Sequence, residues 1–202
     1  MALDISTPVQ SWADTYWTES TGGVTYFAQN GSTNENDRVY RTDPWGRRAL
    51  VWRCIPNGDT NGGDGGWNST STAIDKDYTY RFSVWANRHV VGTLGRLYFG
   101  CNGYGATNGV YVMNTTSLNT NPYFQYTANP PTSGEMEEDT WYLIVGHVFY
   151  DDSSHATYGS SIRHPDSGVW QVDGTKKDSI YRDYYWHPDS TTARHRAYLF
   201  YA

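Results

Sequence analysis

The chain has 202 residues, of which 16% are aromatic (18 Tyr and 9 Trp among them), so it can bury one sizeable β domain. A formal net charge of −6, with Arg and Lys scattered, counts against a nucleic-acid binder, which needs a basic phosphate-tracking face. No apolar run reaches membrane-spanning length, and the opening Met-Ala-Leu-Asp-Ile-Ser has neither the basic region nor the apolar run of a secretory signal.

Residues 1–35 are polar but carry Trp12, Tyr16, Trp17, Tyr26 and Phe27, which reads as an extended docking arm with a short strand at Val24 to Ala28. Residues 36–202 read as one β-sandwich domain. Its first strands, Asn36 to Thr42 and Arg48 to Cys54, are joined by the turn signal Asp43-Pro44-Trp45-Gly46. The Gly-, Asn- and Asp-rich run from Pro56 to Asn68 predicts a long exposed loop. Tyr78 to Ala86 alternates Tyr78, Tyr80, Phe82 and Val84 with polar Thr79, Arg81 and Ser83, the pattern of a half-buried strand.

Arg96 to Gly100 and Gly109 to Met113 read as shorter strands around the turn Asn102-Gly103-Tyr104-Gly105. Asn121 to Phe124 opens another strand, which Pro130-Pro131-Thr132-Ser133-Gly134 closes. Gly134 to Asp139 is the single helical candidate. Trp141 to Tyr150 is apolar or aromatic on both alternating sets, which predicts a central strand covered on both faces. Tyr78 to Ala86 and Arg194 to Tyr201 are its candidate neighbours. A short strand near Val169 to Val172 and the aromatic stretch Tyr181 to Trp186 come between. Strands spaced in this way with turns between them predict an all-β fold, a two-sheet antiparallel β-sandwich of jelly-roll type with long loops and little or no helix. Cys54 and Cys101 both end predicted strands; for a chain made in a cytoplasm, buried reduced thiols are favoured over a disulfide.

Glycoside hydrolysis needs two carboxylates facing each other across a cleft. Here the acids fall in loops, at Asp59, Asp64, Asp151, Asp152 and Asp166, or in Glu135 to Asp139, and the expectation is a protein that is not an enzyme. No pair of histidines has metal-ligand spacing, and His147 in the central strand reads as a core histidine. Asp59, Asn61 and Asp64 offer oxygen ligands for Ca²⁺, with a purely structural turn as the alternative. Asp64, Trp67 and Asn68 can form a sugar-binding edge, the indole lying flat on a pyranose; alternatively Trp67 anchors its own loop. Tyr104, in its predicted turn, joins the ligand-binding candidates. Tyr185 and Trp186 are adjacent on a predicted strand, so one of them faces out as a second stacking platform or an interface.

The ordered series Asp43-Pro44-Trp45-Gly46, Leu50-Val51-Trp52, Asp64-Gly65-Gly66-Trp67-Asn68 and Tyr80-Arg81-Phe82-Ser83-Val84-Trp85 carries a family likeness. It continues in Asn121-Pro122-Tyr123-Phe124, Trp141 to His147, His164-Pro165-Asp166-Ser167-Gly168 and His195-Arg196-Ala197-Tyr198-Leu199. Over most of residues 36–201 the chain resembles jelly-roll or concanavalin-like domains of tail-fibre, appendage and decoration proteins of tailed phages, which resemble carbohydrate-binding modules. That resemblance implies a virion surface protein, synthesised in the host cytoplasm, whose partners are other virion proteins and host-surface polysaccharide. It also implies a homo-oligomer, a trimer if the protein caps a fibre, with no nucleic acid bound and no membrane insertion. Longer relatives continue past the last strand, so the expectation here is a free-standing domain. The alternatives are a purely structural capsid or tail component and, behind it, a polysaccharide hydrolase or lyase.

Overall fold

Alternating β-branched and aromatic residues build fourteen strands in the computed structural model, which describes residues 17–55, 65–87, 89, 96–124, 139–152, 161–163 and 183–200. In chain order these are β1 (Ser20–Thr21), β2 (Phe27–Gln29), β3 (Asn36–Thr42), β4 (Arg48–Cys54), β5 (Gly66–Ser69), β6 (Thr72–Ala73) and β7 (Tyr80–Asn87). They continue as β8 (Arg96–Gly105), β9 (Val110–Val112), β10 (Leu118–Asn119), β11 (Trp141–Phe149), β12 (Ser161–Arg163), β13 (Tyr184–Trp186) and β14 (Ser190–Phe200). One 3₁₀ turn, Thr33–Glu35, is the helical element among the described residues. No helix there is long and apolar enough to cross a membrane.

The first principal sheet is centred on β11. It pairs antiparallel with β7 along its length and with β12 on its other edge, and parallel with β13 at Val148 and Phe149. β13 continues antiparallel into β9 and then β10. The second principal sheet is centred on β14, flanked by β8 on one side and by β5 and β6 on the other, with β2 beyond β5. The all-β sandwich is as the alternation predicts, with the β11–β13 pair as a parallel exception. Arg194 to Tyr201 was expected beside the central strand, but β14 lies in the opposite sheet; an alternating pattern says which face is buried and not which strand is next door.

Between the sheets lie Phe82, Tyr142, Ile144, Val148, Tyr184 and Trp186 from one side and Trp67, Phe99, Cys101, Ala193 and Ala197 from the other. Phe124 fills the middle, its ring 5.7 Å from Phe82 and 5.6 Å from Phe99. Gly146 is glycine because any Cβ there would overlap the Phe124 ring. On the opposite face of β11, Val145 and Phe149 are buried too, so this strand is covered on both sides as expected. His147 stacks on Phe149 at 5.8 Å, its partner along the same face.

Residues 17–35, read from sequence as the end of an arm, pair and pack with the sandwich. β1 pairs with β3 and β2 with β5, and Trp17 meets Phe27 and Trp52 edge-on at 5.2 and 5.5 Å. Arg38, buried, holds this segment by donating to the carbonyls of Thr18, Thr21 and Gly22. The strands β3 and β4 form at the predicted residues. The predicted turn at Asn102 to Gly105 is instead the end of β8, which stays paired with β14 to Gly105 across a register shift between Ser190 and Thr192; pairing there overrides the turn preference of Asn and Gly. At Asn121 to Phe124 a single bridge, Gly100 to Tyr123, replaces the expected strand. The readings at Pro130 to Gly134, Val169 to Val172 and residues 134–138 lie outside the described residues. Cys54 and Cys101 form no disulfide; Cys101 is buried, and burial pushes its thiol up to about 12, against a smaller opposing influence of Arg196.

Candidate functional site

The structure turns Trp67 inward. It sits on β5, 9% exposed, with its ring 5.3 Å from Phe27 edge-on and 6.3 Å from His195. Its indole therefore belongs to the core and not to a sugar-binding edge. The neighbouring Asn68, on the opposite face of β5, is half-buried and faces away from that core. Asp59, Asn61 and Asp64 lie outside the described residues, and no group of three metal-ligating side chains occurs among the described ones.

Of the aromatic pair on β13, Trp186 points in and Tyr185 out. Trp186 is 2% exposed, donates from Nε1 to the Tyr78 carbonyl at 3.2 Å and meets Tyr80 edge-on at 5.7 Å. Its ring is thus a packing element rather than an open platform. Tyr185 is half-buried, 5.1 Å from Tyr111, and donates its hydroxyl to the Thr115 carbonyl at 3.0 Å. Burial first, then the Asp152 carboxylate and Tyr111, push its phenol above the ordinary tyrosine value, so it stays a neutral donor.

Tyr185 lines a cleft where the ends of β11 and β13 meet the segment between β6 and β7. Lys76, Asp77, Tyr150, Asp151, Trp186 and Pro188 line it too. Tyr150 is 48% exposed, unlike its neighbour Phe149, because it follows the last residue of β11 and leaves the covered sheet. Lys76 donates to Asp77 at 2.5 Å, and this pair raises the Lys76 ammonium above its usual value. The cleft joins two tyrosine rings to a fixed cation and two carboxylates.

No family model, curated protein or solved structure matches this chain. The functional reading rests on the residues themselves.

Chemically, the cleft offers what a saccharide needs: flat apolar rings for the C–H faces of a sugar, and charged acceptors and donors for its hydroxyls. Lys76-Asp77, Tyr150-Asp151 and Tyr185-Trp186 are each adjacent in the sequence, but the three pairs lie far apart along the chain, with no pattern to link them. A second aromatic feature escaped the sequence reading. At the β3–β4 turn Trp45 is 63% exposed, 5.5 Å from Trp85, with the Arg47 guanidinium 5.2 Å over its ring. The turn is fixed by Asp43, whose carboxylate accepts from the Trp45 and Arg47 amides at 2.9 and 2.8 Å and pairs with the Arg47 side chain at 2.8 Å. These bonds hold the Asp43 carboxyl below the usual range despite its burial. The Pro-Trp-Gly signal disclosed the turn and gave no sign that its Trp would stay in solvent.

Tyr104 and Asn68 come to the same outer face of the second sheet, together with Asn102, Arg194 and Arg196. In register, Arg196 lies between Asn68 and Gly100, Arg194 beside Asn102, and Thr192 beside Tyr104. The Arg194 guanidinium is 5.5 Å over Tyr104 and donates from Nε to Asn102 at 3.5 Å. Arg196 is 4.1 Å over Tyr123, which lies on the sheet because Gly100 leaves room for Pro122 and Tyr123.

Proposed function

We propose that this protein is a non-catalytic virion surface module that binds a host-surface or environmental glycan, with the cleft at the ends of β11 and β13 as its saccharide site. The observation that carries the reading is Tyr150, an exposed ring that lines the same cleft as Tyr185, Lys76, Asp77 and Asp151. Tyrosine rings present large, stiff contact area with a polar tip, and nearby charges set the orientation of hydroxyls. The virion setting, with other virion proteins as partners and a trimer at a fibre tip, is supported by the ordered motifs described in the sequence.

The test is a glycan array followed by titration of the best-bound oligosaccharide. Wild-type protein is expected to bind saturably, and Tyr150→Ala to weaken binding at least tenfold while stability stays within about 0.5 kcal/mol, as for an exposed position. Unchanged affinity in Tyr150→Ala removes the cleft from the binding site. Silence of the wild type across a broad array favours the second reading, a structural virion component. The exposed Trp45 with its arginine supports that reading, since Trp, Tyr and Arg dominate the energetics of protein interfaces.

A further inference from the structure

The outer face of β8 and β14 carries a strip of positive charge in a chain that has more acids than bases, 21 against 15. Along the strip run Asn68, Arg196, Arg194, Asn102 and Tyr104, placed there by the register of three adjacent strands. Among the described residues it holds no carboxylate and neither arginine has an acidic side chain within 4.0 Å; the described arginines that do are Arg47 and Arg53. Arg196 is the more telling of the two. It is 6% exposed, donates to the Pro122 carbonyl at 3.1 Å and lies against Tyr123, yet its buried Nε meets no acceptor. A buried guanidinium with an unmatched donor, and with no acidic partner among the described residues, leaves a positive field that water screens poorly. Two residues away on the same face, Arg194 is less covered and is held in place by Tyr104 and Asn102.

We propose that this strip is an anion-recognition site for the carboxylate or sulfate group of an acidic saccharide, with Arg194 as the direct donor and Arg196 as the fixed charge beneath it. Arginine suits this task because its planar fork matches the geometry of both anions. Tyr104 and Asn102 orient the Arg194 guanidinium, and Asn68 and Asn102 border the position of the sugar hydroxyls. The proposal deepens the glycan reading but uses the opposite sheet from the cleft, so the two fail separately.

The experiment is titration calorimetry of the full chain with four probes: a uronic-acid hexasaccharide, a sulfated hexasaccharide, a neutral hexasaccharide and inorganic sulfate. At least one acidic oligosaccharide is expected to bind at least tenfold more tightly than the neutral one, and to weaken as salt is raised from 0.05 to 0.5 M, values chosen to span roughly threefold in screening length. Binding of inorganic sulfate as tight as that of the acidic sugars would overturn the saccharide assignment. Arg194→Gln, at a position that is not fully buried, is expected to abolish the acidic preference and its salt dependence, while any neutral-sugar binding persists. Equal affinity for acidic and neutral probes, or a wild-type preference retained in Arg194→Gln, would overturn the proposal. Arg194→Lys serves as the second variant and separates loss of the fork from misfolding: it keeps the charge and should retain part of the preference. Loss in Arg194→Gln with partial retention in Arg194→Lys, both with wild-type melting curves, supports the proposal; loss with lowered melting in both overturns it in favour of a packing role.

Discussion

Trp67 and Trp45 hold roles opposite to those their surroundings suggest. Trp67 follows a run of Gly, Asn and Asp, the composition of an exposed loop, yet β5 turns its ring into the core against Phe27. Trp45 sits between Pro and Gly in a tight turn and remains in solvent. What decided each case was the partner strand: Ala197 pairs with Trp67 from β14, and no segment of the sequence near Trp67 discloses that neighbour. Trp67→Ala is therefore expected to cost about 3–5 kcal/mol of stability, the range for removing a large buried ring. Urea unfolding measures it; a loss below about 1 kcal/mol would place the indole outside the packed core.

At the scale of elements, periodicity served well where a strand has two distinct faces or none. β3, β4, β7 and β11 lie within a residue or two of the alternating runs that announce them. Tyr78 is the informative miss. It shares the parity of Tyr80 and Phe82 but is 65% exposed, because the chain turns before β7 begins and pairing with β11 starts at Tyr80. β8 was cut short for the converse reason: Asn102, Gly103 and Gly105 are poor strand formers, and only the long match with β14 keeps them extended. The cleft was legible only at Tyr185 and Trp186; Asp151 read as one loop acid among several, and Tyr150, Lys76 and Asp77 reach the cleft through the fold alone. The β3–β4 hairpin gives the element-scale prediction. If the structural reading holds, Trp45→Ala shifts the full chain toward smaller species in sedimentation while its melting temperature stays put. An unchanged distribution would leave that exposed ring without an interface role.

For the whole molecule, the two principal sheets meet across a boundary that holds a histidine among aromatic rings. His195 on β14 lies 4.6 Å from Phe82, which belongs to the other sheet, and 6.1 Å from Phe99. Burial lowers its imidazole from 6.5 to about 4, because a charged ring between aromatic neighbours loses its hydration. The folded protein thus holds this proton less readily than the unfolded chain. Stability is unaffected by His195 above pH 6.5, falls as pH drops through the interval from 6.5 to about 4, and falls no further on this account below it. At about 1.4 kcal/mol per decade of proton affinity, the full loss is on the order of 3 kcal/mol. Thermal melts between pH 7 and 4 should show it, and His195→Leu should flatten the dependence; an equal slope in that variant would assign the acid sensitivity to other groups.

The reduced thiol of Cys101 faces the same boundary, opposite His195 in the β8–β14 register. The thiolate is the reactive form, and burial withholds it at neutral pH. An alkylating reagent in solution can reach this sulfur only when the sheets part, so the rate of its modification counts openings of the sandwich. One ordinary cysteine thereby makes the native protein a clock for its own unfolding, with no label to be engineered and no denaturant to be added.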